Sequence, residues 1–144
     1  MKYISDSTEK TEAIAAEFAK KLKGGEIITL DGDLGAGKTA FVRGLAKGLG
    51  ITDRVVSPTF TIVNEYRHGK IPLFHFDVYR IGSSDEMYDV GWEEYINSGG
   101  IAVVEWAVNI EDILDENCIK INIAKNLDIS DDYREITLRG VQNV

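Results

Sequence analysis

Residues 32–39 read GDLGAGKT, a glycine, four residues, then Gly-Lys-Thr. This stretch constrains the chain more than any other, because of what flanks it. Residues 26–31, EIITLD, form a short apolar and β-branched run that suits a buried strand. After the loop, Phe41, Val42, Leu45, Ala46 and Leu49 repeat at helical spacing until Gly50. A glycine loop between a strand and a helix turns backbone N–H groups, and the positive end of the helix, toward one point. Glycine lets such a loop curl tightly and approach an anion without side-chain collision. Asp33, Leu34, Gly35, Ala36, Gly37, Lys38, Thr39 and Ala40 are therefore expected to hold a nucleoside triphosphate or its products. Lys38 is expected to reach the outer phosphates, and the Thr39 hydroxyl to bind Mg²⁺.

The rest of the chain supplies one domain, residues 1–144. A chain this long buries about 70% of the surface its unfolded form exposes, so it needs no staples. Its single cysteine, Cys118, rules out an internal disulfide and fits a reducing, cytoplasmic setting. Neither a signal peptide nor a membrane span is expected, since no apolar run is long enough. The net charge of −8 opposes stable contact with bare nucleic acid. Lys20, Lys21 and Lys23 read as a solvated helix end.

A first strand is expected at residues 2–5. A capping box at residues 6–9 then opens a helix of about four turns, carrying Ile14, Phe18 and Leu22 and ending at Gly24-Gly25. Residues 59–66 and 71–81 read as an antiparallel hairpin across Arg67-His68-Gly69-Lys70. Along its second arm Phe74, Phe76 and Val78 alternate with His75, Asp77 and Tyr79, giving one apolar and one polar face. Residues 83–98 read as one or two short acidic helices, 101–104 as a buried strand ending at Glu105-Trp106, and 110–114 as a helical turn. Residues 118–124 and 133–139 read as late strands.

Hydrolysis needs a second acid on the metal side and a group that positions water. Glu105, at the end of a buried strand, is either that acid or a structural one. Asp77 either orients water, or holds a metal-bound water, or pairs locally with Arg80 or the hairpin backbone. His75 reads as a packed, hydrogen-bonded histidine, and His68 as solvent-facing. With two histidines and one cysteine, a structural zinc site is not expected. Trp106 either stacks near the nucleotide, braces the acid or fills the core. The acidic stretch around Met87, Tyr88 and Trp92 is either a solvated face with core anchors or a partner surface.

Four motifs in order carry a resemblance: GDLGAGKT at 32–39, SPTFTIVNEY at 57–66, HFDVYRI at 75–81 and VVEWA at 103–107. Together they resemble the bacterial TsaE family, formerly called YjeE, over essentially the whole chain. The resemblance implies an α/β, P-loop NTPase-like three-layer domain with a central mixed sheet of parallel and antiparallel strands. It implies that Lys38 contacts phosphates, that Thr39 and Glu105 bind Mg²⁺, and that Asp77 is an acid near the γ-phosphate. It makes Ser57, Thr59 and Thr61 a switch-like segment, sets Thr11 near the nucleotide, and sets Arg134 beside the base or ribose. Ala107 stands where many relatives have proline or another small residue. The implied activity is slow hydrolysis of MgATP in support of the proteins TsaD and TsaB. Those two transfer the threonylcarbamoyl group to adenosine in tRNA, so contact with tRNA is indirect.

Three rivals follow from other readings of the same residues. A small-molecule phosphotransferase usually carries a lid rich in arginine, and the six arginines here form no cluster. A GTP switch usually reads guanine with Asn-Lys-x-Asp, whereas residues 125–128 read Lys-Asn-Leu-Asp. A nucleotide-gated binding module would keep the loop without useful turnover.

Overall fold

The computed structural model describes residues 1–33, 35–58 and 61–140. In chain order the elements are β1 (Lys2–Ser5), α1 (Thr8–Ala19), β2 (Ile27–Gly32), α2 (Lys38–Gly48), β3 (Val63–Tyr66) and β4 (Leu73–Asp77). There follow α3 (Glu86–Val90), α4 (Trp92–Ile96), β5 (Ile101–Glu105), a 3-10 helix (Ala107–Ile113), β6 (Ile119–Lys125) and β7 (Arg134–Arg139). Among the described residues, the strands form one sheet in the order β1-β7-β6-β2-β5-β4-β3. Strands β6, β2, β5 and β4 run parallel, and β1, β7 and β3 pair antiparallel with their neighbours. The mixed sheet is the one the resemblance implies.

Parallel strands covered on both faces carry apolar residues throughout rather than in alternation, and every residue of β5 is buried. On one side, Ile28 and Leu30 of β2, Ile101 and Val103 of β5 and Leu73 of β4 join Ala15, Phe18, Phe41 and Leu45 of the long helices. On the other side, Phe74 and Phe76 of β4 and Ala102 and Val104 of β5 meet Met87, Trp92 and Ile110. Phe76 touches both Trp92 and Tyr95 edge-on, with ring centroids 5.1 and 5.3 Å apart, and burial of each such ring stabilises the fold by about 1.5–3 kcal/mol. Met87 and Trp92 are thus core anchors of the acidic stretch, while Tyr88 is exposed.

Helices α1 and α2 approach closely because small residues face each other. A Cβ on Gly44 would lie 2.7 Å from the Ala15 Cβ, and one on Gly48 2.7 Å from the Ala19 Cβ. This contact fixes the helix whose first residue is Lys38.

Several boundaries differ from the sequence-based expectation. The cap of α1 is Ser7 rather than Asp6: its side chain accepts from the Lys10 N–H at 3.0 Å. Ser7 is the last extended residue, so its oxygen, not the Asp6 carboxylate, meets the orphan amides. The hairpin arms are shorter than residues 59–66 and 71–81. Ile62 has φ 59° and the Val63 N–H bonds to the Thr61 carbonyl, a tight turn that starts β3 at Val63. Past Asp77, the Val78 amide bonds to the Glu105 carbonyl and the Ile81 amide turns back to Val78, which ends β4. The helical turn near 110–114 is a 3-10 helix that starts at Ala107. No helix among the described residues is long and apolar enough to cross a membrane.

Candidate functional site

The site is built at the carboxyl ends of the central parallel strands, the usual place for a ligand in an open α/β sheet. Strand β2 leads into the glycine loop. Gly35 and Gly37 have φ of 76° and 105°, the left-handed region that residues with a Cβ rarely adopt. Space beside Gly37 is open: no described atom packs against that side of the loop. The Ala36 amide closes a turn onto the Asp33 carbonyl at 2.9 Å. Gly37 caps α2 with no side-chain hydrogen bond, which leaves the first-turn N–H groups to an anion. Ala40 is buried under that turn. Leu34 and Thr59 lie outside the described residues.

Strand register brings the acids to the same rim. Glu105 pairs with Leu30 of β2 on one side and with Asp77 of β4 on the other. The Lys38 Nζ lies 3.5 Å from Glu105 Oε1, with side chains only 16% and 7% exposed. The other oxygen, Oε2, is 2.5 Å from His75 Nε2. His75 is fully buried, and its Nδ1 has no partner among the described residues. The alternating pattern of β4 therefore has a physical reading. Its apolar side packs on α3 and α4, and its polar side carries the buried His75 and the half-buried Asp77 on the sheet face that α1 and α2 cover.

Burial by itself would push the Glu105 carboxyl up. The hydrogen bond and charge of His75, with Lys38 adding to them, outweigh that and hold it below the ordinary carboxylate range. Glu105 thus stays ionised while nearly buried. Asp31 goes the other way: burial raises its carboxyl, opposed by Lys38 and Lys120.

Asp77 is half-buried, and its Oδ1 accepts from the Tyr79 N–H at 3.0 Å. Its own N–H donates to the carbonyl of Ile62 at 2.8 Å. The strained Ile62 thereby ties the end of the 57–62 motif to the acid. The Thr39 hydroxyl lies 2.8 Å from the Ser57 hydroxyl, so the same motif touches α2 at its first turn. Thr61 donates to Asn64 at 3.2 Å, away from that contact.

Trp106 is no core residue: it is 44% exposed. It adopts φ 63°, caps the 3-10 helix and leans on Tyr79, with ring centroids 4.7 Å apart. Lys38 Nζ stands 6.0 Å from its ring centre, at the reach of a cation–π contact. Trp106, Lys38, Asp31, Asp33 and Asn122 line a cleft of 390 Å³ beside the loop. Asp31 and Asn122 escape notice in the sequence. The signal was there, since both sit at outward positions of strands bordering the loop and are paired in register.

Arg134 lies against the glycine loop itself. Its Nε donates to the Ala36 carbonyl at 2.9 Å and Nη2 to the Gly35 carbonyl at 3.3 Å, while Nη1 bonds to the Asp131 and Tyr133 carbonyls. It braces the backbone of that loop. Thr11 bonds to Ser5, the residue of β1 paired in register with Arg134. Its hydroxyl is buried 2.8 Å from that of Ser5, and since Ser5 donates to the Ser7 carbonyl, Thr11 donates to Ser5. Asn126, in the Lys-Asn-Leu-Asp stretch, accepts from the Asp128 amide in a local turn.

The donor set fits a hard cation. Thr39 offers a hydroxyl and Glu105 a carboxylate, the oxygen ligands Mg²⁺ takes alongside waters and phosphate oxygens. Among the described residues, no three His, Cys, Asp or Glu side chains form a protein-only metal cage, and the magnesium chemistry expected here requires none.

The sequence profile described as "Threonylcarbamoyl adenosine biosynthesis protein TsaE" matches residues 5–136. A Bacillus subtilis (strain 168) protein named tRNA threonylcarbamoyladenosine biosynthesis protein TsaE is 48% identical over 143 residues, 99% of this chain and 87% of the relative. A protein of the same name from Treponema pallidum (strain Nichols) is 38% identical, over 96% of this chain and 99% of its own. The crystal structure of YdiB from Bacillus subtilis superposes with a TM-score of 0.81 at 43% identity, covering 96% of this chain and 83% of that one.

Proposed function

Because the chain belongs to the TsaE family of threonylcarbamoyl adenosine biosynthesis proteins, we propose that it binds and hydrolyses MgATP in support of threonylcarbamoyl transfer to adenosine in tRNA by a TsaD–TsaB complex. The observation that carries the reading is the uncapped start of α2 with Lys38 held 3.5 Å from an ionised Glu105. A lysine poised on one carboxylate will exchange it for a triphosphate, which offers several negative charges in the same low-dielectric crevice. That exchange leaves Glu105 free to face a cation.

The chain's own groups then divide the work. Loop amides from Gly35 to Ala40 and the Lys38 ammonium bind the phosphate oxygens. Thr39 and Glu105 would hold Mg²⁺, which when bound neutralises charge on the β- and γ-phosphates. Asp77 orients the attacking water. The water oxygen forms a bond to the γ-phosphorus as the bond to the β–γ bridging oxygen breaks, giving ADP and phosphate. Trp106 shields the crevice mouth, and partner docking completes the site and raises the slow intrinsic rate.

The test is ATP hydrolysis with TsaD and TsaB added and omitted. Turnover is expected to be low alone and to rise with the pair. Lys38→Ala should weaken nucleotide binding, and Glu105→Ala should raise the magnesium requirement. Normal turnover by both variants in the presence of the partners overturns the assignment, and phosphate delivered to a metabolite instead of water points to the phosphotransferase.

A further inference from the structure

The buried histidine of β4 has no task in the mechanism above, yet it makes the shortest contact to Glu105. We propose that His75 is a positioning residue: it holds Glu105 Oε2 so that Oε1 alone faces Lys38 and the magnesium position. This rests on the reading of Glu105 as a magnesium ligand.

Three observations carry the proposal. The contact is short and directional, 2.5 Å from Nε2 to Oε2. A carboxylate only accepts, so the shared proton sits on Nε2. His75 is fully buried on the helix-facing side of β4, at the position in register with Val103, one turn of the pleat below the Asp77–Glu105 pair. Its imidazole therefore reaches up to the acid from beneath and does not meet the cleft. Finally, Nδ1 is the one buried side-chain polar atom without a partner among the described residues. A core position needing only packing is better filled by an apolar ring, since an unpaired polar atom is unfavourable inside. The cost is compensated only by the bond that Nε2 makes. Of the two Glu105 oxygens, one is thereby committed and the other left to the cation. The carboxylate then binds through a single oxygen, in keeping with the strict geometry magnesium demands.

The test uses the full-length protein with a non-hydrolysable ATP analogue, and Mn²⁺ in place of Mg²⁺ so that metal binding is read by electron paramagnetic resonance. His75→Phe keeps a ring and removes the donor, whereas His75→Gln keeps an N–H at a similar reach. His75→Phe is expected to lower Mn²⁺ affinity about tenfold or more, the effect of losing a group that orients a metal ligand. It should leave analogue binding in EDTA unchanged, and His75→Gln should restore most of the loss. Glu105→Gln is the control. If it lowers Mn²⁺ affinity but His75→Phe does not, or if His75→Gln fails to rescue, the positioning role is overturned and the metal assignment stands. If Glu105→Gln binds Mn²⁺ as the parent protein does, both fall. Should His75→Phe not fold, the Nε2 proton of the parent protein decides by NMR. A downfield resonance that persists with magnesium and analogue supports the role, and its loss on their addition refutes it.

Discussion

Arg134 shows how one side chain stiffens a loop it does not belong to. Its guanidinium bonds to two carbonyls of the glycine loop and two of its own turn. Hydrogen bonds from a charged donor contribute about 1.5–3 kcal/mol each when well made. Arg134→Gln should therefore release Gly35 and Ala36 and lower ATP affinity by about tenfold, a difference of about 1.4 kcal/mol. The unfolding temperature should fall too, by several degrees. Isothermal titration calorimetry reads the first and thermal unfolding the second; unchanged affinity would show that the loop keeps its shape unaided. A second residue-scale prediction concerns acid. The Glu105 carboxyl is depressed in the folded chain, so its contribution to stability is complete above the ordinary carboxylate value and is lost as the pH falls through the lower folded value. In metal-free buffer, urea unfolding should show the parent protein losing more stability than Glu105→Gln on acidification; equal losses would contradict the ion pairing. That Lys38, Thr39 and Glu105 sit at the carboxyl ends of the central strands was legible, because local spacing and a strand end place them there. The Arg134 contacts were not, since the partner carbonyl of Ala36 is 98 residues away and backbone acceptors leave no trace in residue identity.

At the scale of elements, α2, the helix that follows the glycine loop, is immobilised by its neighbour. With glycines at 44 and 48 facing alanines at 15 and 19, α1 and α2 touch almost backbone to backbone. Gly44→Ala would drive a methyl into the Ala15 side chain and the Glu12 carbonyl. It should destabilise the protein by about 1–3 kcal/mol, as overpacking does. Equilibrium urea unfolding measures this, and a neutral result would mean that the helices part easily. The order and type of the elements could be read from hydrophobic period, and the mixed sheet followed from the family resemblance. What escaped were ends set by tertiary bonds. The start of β3 depends on a strained turn at Ile62, whose carbonyl is held by the Asp77 amide of the next strand. No local preference would forecast a left-handed isoleucine. The α1 cap moved by one residue because serine and aspartate are both good caps and the backbone chose between them.

The whole molecule carries a net charge of −8. A surface of that sign gains nothing from counterion release on a polyanion. Bare tRNA should neither shift on a gel with this protein at physiological salt nor change its ATP turnover, while addition of TsaD and TsaB should change turnover. A stable binary complex with tRNA would break the proposed division of labour. The two outermost strands matter at this scale as well. β1 and β3 are each four residues long, and each places a charged residue, Lys2 or Glu65, on the rim of the sheet. Such short, charged borders are poor templates for a foreign strand. A partner that docks on side-chain surfaces and loops, and adds no strand to either border, would come and go without unzipping any backbone ladder.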